Sequence, residues 1–284
     1  MNAVSKPFSL FRLPGVPLTK ISRYMDLREI FMMSLASKKS AFIIRYLLPP
    51  KLFSLKIEFS VESEATVGAK GHWNDPLVIK RMGVYGRPVA KQFCYVCSQW
   101  AKGDSVKSLL SHIAIVFNPT ISIDFGKICD QEFVINVMNH VKQLNLVKTS
   151  IKLSFAVSSE NYRHIMDECR DNFKLWLHCE TSSDFEYRAG PDFRVNDLYL
   201  SDGHWVHLED FVNCKKVVVH NHHHHQQPKC ANPEVLKAFI RKWIESECRL
   251  QHLEVYGGFI LFHFREVLSG LEYRSVLMPS LQYS

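Results

Sequence analysis

"TISIDFGKICDQEFVINVMNHVKQLNLVKTSIKLSFAV" (120–157) is the stretch that sets the fold class. Its first six residues alternate apolar and polar, the two-residue period of a half-buried strand. From Gln131 the period changes. Phe133, Val134, Val137, Val141 and Leu144 recur at helical intervals along one face. "SIKLSFAV" (150–157) returns to strand alternation.

The same alternation continues downstream. "SENYRHIMDECRDNF" (159–173) reads as a helix opened by Ser158 or Ser159, and "FKLWLHCE" (173–180), "NDLYLSD" (196–202) and "CKKVVVHN" (214–221) read as strands. A short helix, "HWVHLEDFV" (204–212), is expected between the last two. The strongest helix is "PEVLKAFIRKWIES", with Asn232 as its cap, Pro233 at its first position, and Val235, Leu236, Phe239, Ile240, Trp243 and Ile244 on its apolar face. "LQHLEVYG" (250–257) follows as a strand. Three late strands share an apolar pair two residues apart: Leu198/Leu200, Val217/Val219 and Leu253/Val255. Their unequal spacing fits an irregular α/β solenoid of the leucine-rich-repeat kind. The expected class is therefore mixed α/β.

Upstream the pattern is helical. In residues 8–50 a Leu-Pro turn precedes three short helices. Pro17 suits a first helical turn, where its missing N–H is not needed. Leu18, Ile21 and Met25 follow at helical spacing. Asp26 can cap a second helix carrying Leu27, Ile30 and Phe31, and Ser37 a third carrying Ile43, Ile44 and Leu47. About forty residues this apolar cannot bury them all alone, so a partner-binding face is expected. Charge singles out the same region: residues 1–60 hold ten Lys/Arg against three acids, a net +7, and the rest holds 25 of each.

"LFRLPGVPLTKISRYMDLREIFMMSLASKKSAFIIRYL" resembles an F-box, through Leu13-Pro14, Met25-Asp26, the segment Ser34 to Lys38 and the closing apolar helix. The likeness is to the nematode-type family that pairs an F-box with an F-box-associated domain of type 2. "LKAFIRKWIES…RLQHLEVYG" and "SLLSHIAIVFNPTISID" (108–124) resemble blocks of that associated domain. Pro17 departs from the pattern, standing where the family has an aliphatic residue. The resemblance implies an F-box at 7–50, a connecting β-rich segment at 51–107, and a leucine-rich-repeat-like associated domain at 108–284. It implies a non-catalytic substrate receptor of an SCF-type ubiquitin ligase, bound to a Skp-family adaptor and through it to a cullin. By position, adaptor contacts fall on Leu13, Pro14, Val16, Leu18, Ile21, Leu27, Ile30, Leu35, Ser37 and Ile43.

Phosphate-loop, dinucleotide, nucleophile-elbow and H-E-x-x-H motifs are absent. "VVVHNHHHHQQPKC" (217–230) holds five of the 14 histidines, but on a strand they would line up instead of converging on a tetrahedron, so it reads as a polar loop. "CYVC" (94–97) has no second pair at zinc spacing and reads as two half-buried thiols. His164 with Glu168 reads as a surface pair. In "DGHWVHLED" (202–210) the acids suit a helix start, with Asp202 as a cap. Trp205, Phe211, Phe239 and Trp243 read as core. No cofactor, metal, nucleic acid or membrane is expected. The eight scattered cysteines and the Pro- and Arg-broken amino terminus suit an intracellular protein of the cytoplasm or nucleus. Two other readings stand beside the ligase: an interaction module outside ubiquitin transfer, and a metal-dependent enzyme built on the His/Asp clusters.

Overall fold

The computed structural model describes residues 11–80 and 103–256, apart from 12, 50, 61–63, 70–71, 128, 172, 221–229 and 231. The chain is mixed α/β and divides between Asn161 and Tyr162 into two compact units. The sequence divisions at 50 and 107 both fall inside the first unit. The C-x-x-C pair and His222 to His225 lie outside the described residues.

The first unit opens with α1 (Gly15–Tyr24), α2 (Leu27–Leu35) and α3 (Lys38–Leu47). Local chemistry fixes their starts. Pro17 sits in the first turn of α1, where no intrahelical acceptor exists for an N–H. Asp26 accepts from the Glu29 backbone N–H at 2.7 Å while Glu29 accepts from Asp26 at 3.1 Å, a reciprocal capping box. Ser37 accepts from the Ser40 N–H at 3.0 Å. Inward-facing Leu18, Ile30, Phe31, Ala41, Ile44 and Leu48 are buried, each large side chain contributing about 1.5–3 kcal/mol.

After the helices come β1 (Phe53–Phe59), β2 (Glu64–Ala69), β3 (His72–Lys80), α4 (Gly103–Phe117), β4 (Thr120–Phe125), α5 (Gln131–Gln143) and β5 (Lys148–Leu153). The strands lie in the order β3-β2-β1-β4-β5. β1 to β3 form an antiparallel meander, and β4 and β5 add in parallel. Ladder partners on the buried side match in type: Ile57 opposes Ile123, which opposes Ile151, and Phe59 opposes Phe125 with rings stacked 5.3 Å apart. Asp130 caps α5 through the Phe133 N–H, and Val134, Val137, Met138 and Val141 are buried. Asn145, just beyond α5, takes the left-handed conformation (φ 52°) that closes helices. α2 and α3 are packed onto this unit: α3 contacts α4, and α2 contacts β3. Phe31 meets the His112 ring of α4 edge-on at 5.6 Å.

The boundary falls within α6 (Ser159–Glu168). The second unit carries four strands in the order β6 (Lys174–Leu177), β7 (Asp197–Leu200), β8 (Lys216–His220) and β9 (His252–Tyr256), all parallel, with α7 (Pro233–Glu245) between the last two. The apolar pairs of the sequence fall into register. Leu175, Leu198, Val217 and Leu253 form one cross-strand row, and Leu177, Leu200, Val219 and Val255 the next. Under them Trp205, fully buried, is the hub of an aromatic core, edge-on to Phe185 at 5.3 Å, Tyr162 at 5.8 Å and Tyr187 at 5.9 Å. Phe211 and Phe239 are also buried, as expected of core, and so is Phe193; Trp243, expected with them, is half-buried and donates its indole N–H to the Leu250 carbonyl at 2.8 Å.

Several elements depart from expectation. β5 occupies 148–153, not 150–157, because Ser154 turns to bond Phe125 and the chain then leaves the sheet. α6 ends at Glu168: Cys169 N–H bonds Met166, a tightened turn that buries Cys169. The expected helix at 204–212 is a single 3₁₀ turn, Leu208–Phe211. Residues 202–206 are all buried in succession, a run longer than one helical turn, which one helix face cannot achieve. On α7, Asn232 caps as expected, bonding the N–H groups of Glu234 and Val235. Its apolar face is only partly used: Leu236 and Phe239 are buried, whereas Val235 and Ile244 are exposed.

Candidate functional site

The three amino-terminal helices turn apolar side chains outward as well as inward. Residues four apart lie along one helix face. On α1 that outer stripe is Val16, Lys20 and Tyr24, with Val16 72% and Tyr24 92% exposed. On α2 it is Arg28, Met32 and Leu35, all exposed. On α3 it is Lys38, Phe42 and Tyr46, with Phe42 64% and Tyr46 92% exposed. Each helix thus presents one cation and two large apolar groups to solvent, an arrangement a lone soluble surface does not require.

The ten positions taken from the F-box pattern divide between two environments. Val16, Ile21, Leu35, Pro14 and Ser37 are exposed, with Ser37 also holding the start of α3. Leu13, Leu27 and Ile43 are half-buried. Leu18 (6% exposed) and Ile30 (4%) face the cleft among the three helices, beside Met25, Ile44 and Leu48. Tyr24, Met32, Phe42 and Tyr46 were not singled out from the sequence. Their signal was present as the four-residue steps Lys20–Tyr24, Arg28–Met32 and Lys38–Phe42–Tyr46.

In the second unit the sheet has an outer face of different character. Its middle row runs Trp176, Tyr199, Val218, Glu254 across β6 to β9. Beside it, rings follow one another across the strands: His178 to Tyr199 at 4.6 Å, Tyr199 to His220 at 5.0 Å, and His220 to Tyr256 at 4.1 Å, nearly parallel. Trp176, His178 and Tyr256 are exposed. Lys174 pairs with Asp197 at 2.9 Å and Lys216 with Glu254 at 2.8 Å. Glu254 also accepts from Tyr256 and from His252, and the Lys216 ammonium with these donors pushes its carboxyl down to about 2.

The "DGHWVHLED" cluster is internal. Asp202, expected as a helix cap, instead accepts from the Thr181 N–H at 2.8 Å, the Thr181 hydroxyl at 2.9 Å and the His204 ring Nδ1–H at 2.8 Å. These bonds hold its carboxyl below the usual range against the opposing effect of burial. Asp210 receives a two-point bond from Arg188, at 2.7 and 2.8 Å. Glu209 is exposed on the 3₁₀ turn. These carboxylates serve neighbouring segments, tying loops 181–189 to the core. Among the described residues no group of three or more His, Cys, Asp or Glu is arranged to hold a metal ion. The six described cysteines are free thiols, and burial pushes those of Cys214 and Cys230 up to about 12. Among the described residues no helix is long and apolar enough to cross a membrane.

Comparison with known proteins gives one relative, the uncharacterized protein F59B2.8 of Caenorhabditis elegans, 24% identical over 250 residues, covering 75% of this chain and 54% of the relative. The chain therefore spans about half the length of that relative. No family model matches the chain. No solved structure matches it.

Proposed function

We propose that this protein is a substrate receptor of an SCF-type ubiquitin ligase, with α1 to α3 as an F-box that binds a Skp-family adaptor. The observation that carries the reading is the two-sided use of these helices. Their inner faces are spent on the protein's own core, and each still exposes a stripe of large apolar groups. Apolar side chains grouped on the outer faces of neighbouring helices are the mark of a partner-binding surface. The Leu13-Pro14 entry, the capping box at Asp26 and the Ser37 cap fall at the steps of the F-box pattern, which supports the same reading.

In this account the protein makes and breaks no bonds. It holds a target lysine beside ubiquitin charged on a partner enzyme, so that transfer becomes effectively intramolecular. The target docks on the outer face of the second unit's sheet, where Trp176 and Tyr256 offer exposed aromatic area of the type that dominates protein interfaces. A solenoid arrangement of the leucine-rich-repeat kind is the architecture we propose for that unit, supported by its parallel strands and matched apolar rows.

Co-expression with a Skp-family adaptor tests the proposal. The full chain is expected to co-purify with it, and Leu13→Ala/Pro14→Ala to weaken the complex while leaving circular dichroism unchanged. A chain that stays alone and monodisperse beside the adaptor overturns the reading.

A further inference from the structure

The outer stripes pair apolar groups with cations, and on α1 and α3 the lysines stand apart from acidic side chains. Only two acids lie on the three helices or between them, Asp26 and Glu29. Each is spent on the other's backbone N–H in the α2 capping box. Lys20, Lys38 and Lys39 are exposed and have no acidic partner among the described residues. The remainder of the chain beyond residue 60 is charge-neutral, so this excess is a local field.

Resting on the ligase reading, we infer that Lys20, Lys38 and Lys39 steer the adaptor onto the helices, and that the adaptor surface received by α1 and α3 is acidic around apolar pockets. Val16, Tyr24, Phe42 and Tyr46 supply the area that holds the complex. The lysines, Lys20 between Val16 and Tyr24 and Lys38 and Lys39 at the start of α3, set the rate at which it forms. Charges at an interface rim act chiefly on association and are screened by salt, whereas buried apolar contacts act on dissociation. A nucleic acid would leave the four apolar side chains without a use, since such interfaces are polar.

The test is stopped-flow or surface-plasmon association of the full chain with a purified Skp-family adaptor across a salt series. Wild type is compared with Lys20→Glu/Lys38→Glu/Lys39→Glu and with the milder Gln triple variant. The Glu variant is expected to associate about tenfold more slowly at low salt, with the Gln variant between. Both should lose salt dependence, and dissociation should change less than about twofold. Equal association rates, or a wild-type rate indifferent to salt, would overturn the inference while leaving the ligase reading standing. No association by wild type at any salt would sink the ligase reading itself. Vesicles of phosphatidylserine and phosphatidylcholine are run in parallel. Lysine-dependent capture by vesicles with unmoved adaptor kinetics would assign the field to a membrane and reject the inference.

Discussion

Ser34 Oγ lies 2.7 Å from His112 Nε2, joining α2 to α4 across 78 residues of sequence. The Ser34 hydroxyl spends its proton on the Phe31 carbonyl at 2.6 Å, so the ring nitrogen is the donor and His112 is the Nε2–H tautomer. Burial lowers the pKa of this histidine, keeping it neutral. The bond fixes the helices onto the body of the first unit, so that a partner held by one is held by the other.

Ser34→Ala leaves the ring N–H of His112 unpaired in a partly buried place, and His112→Ala removes the tie between α2 and α4 together with the edge-on contact to Phe31. Ser34→Ala and His112→Ala are each expected to lower stability by about 1–3 kcal/mol. Their effects should be non-additive by at least about 0.5 kcal/mol in a double-mutant cycle read from urea unfolding. The histidine also carries a pH signature. Its folded pKa is depressed, so its contribution is present above its ordinary value of 6.5 and is lost as pH falls through the folded value. The Ser34→Ala cost should not depend on this titration in a His112→Gln background.

Gly203 allows the turn between β7 and β8 to pass against the sheet. A Cβ there would lie 2.1 Å from Val219 Cγ1 and 3.2 Å from the His220 carbonyl. Val219 is fully buried, which leaves its Cγ1 little room to turn aside, and the His220 carbonyl belongs to the backbone of β8. Gly203→Ala should cost about 1–3 kcal/mol, seen as a lowered thermal midpoint, and Gly203→Ala/Val219→Ala should recover part of it.

Glu254 predicts an acid-sensitive second unit. Its carboxyl is depressed from 4.5 to about 2, so the stability it adds is full above about 4.5 and is lost as pH falls toward 2. Wild type should lose more stability than Glu254→Gln between pH 6 and pH 3, measured by urea midpoints. Parallel slopes for the two proteins would contradict the assignment.

If the outer sheet face carries the target, Trp176→Ala/Tyr256→Ala should abolish recruitment and leave adaptor binding intact. Proximity labelling in cells with both proteins distinguishes the outcomes: the adaptor should still be labelled, and the target set should be lost.

Local features of this fold were legible in the sequence. Asp26, Ser37 and Asn232 could be assigned as caps because a capping oxygen acts within three residues of itself. The strand 120–125 and the helix starting at Gln131 followed from periodicity. The apolar pairs were legible too, but not their register, which brings Leu198, Val217 and Leu253 into one row. What failed depended on distant partners. Nothing near Asp202 in sequence indicates Thr181 as its donor, and local pattern alone makes it a cap for a helix that the unbroken burial of residues 202–206 prevents. The outer face went unread for the same reason: Trp176 and Tyr256 belong to one surface only once four strands have paired. On the amino-terminal helices, Leu18 and Ile30 showed the same apolar periodicity as Val16 and Leu35. Only packing separates inner from outer.

The most direct test is titration calorimetry of the purified chain with a Skp-family adaptor, comparing wild type with Val16→Asp/Phe42→Asp. Both substituted side chains are exposed, so folding should be preserved. The account predicts one-to-one binding by wild type and a loss of at least about 100-fold in the variant, the size of a disrupted apolar interface centre. Equal affinity of the two proteins would contradict it.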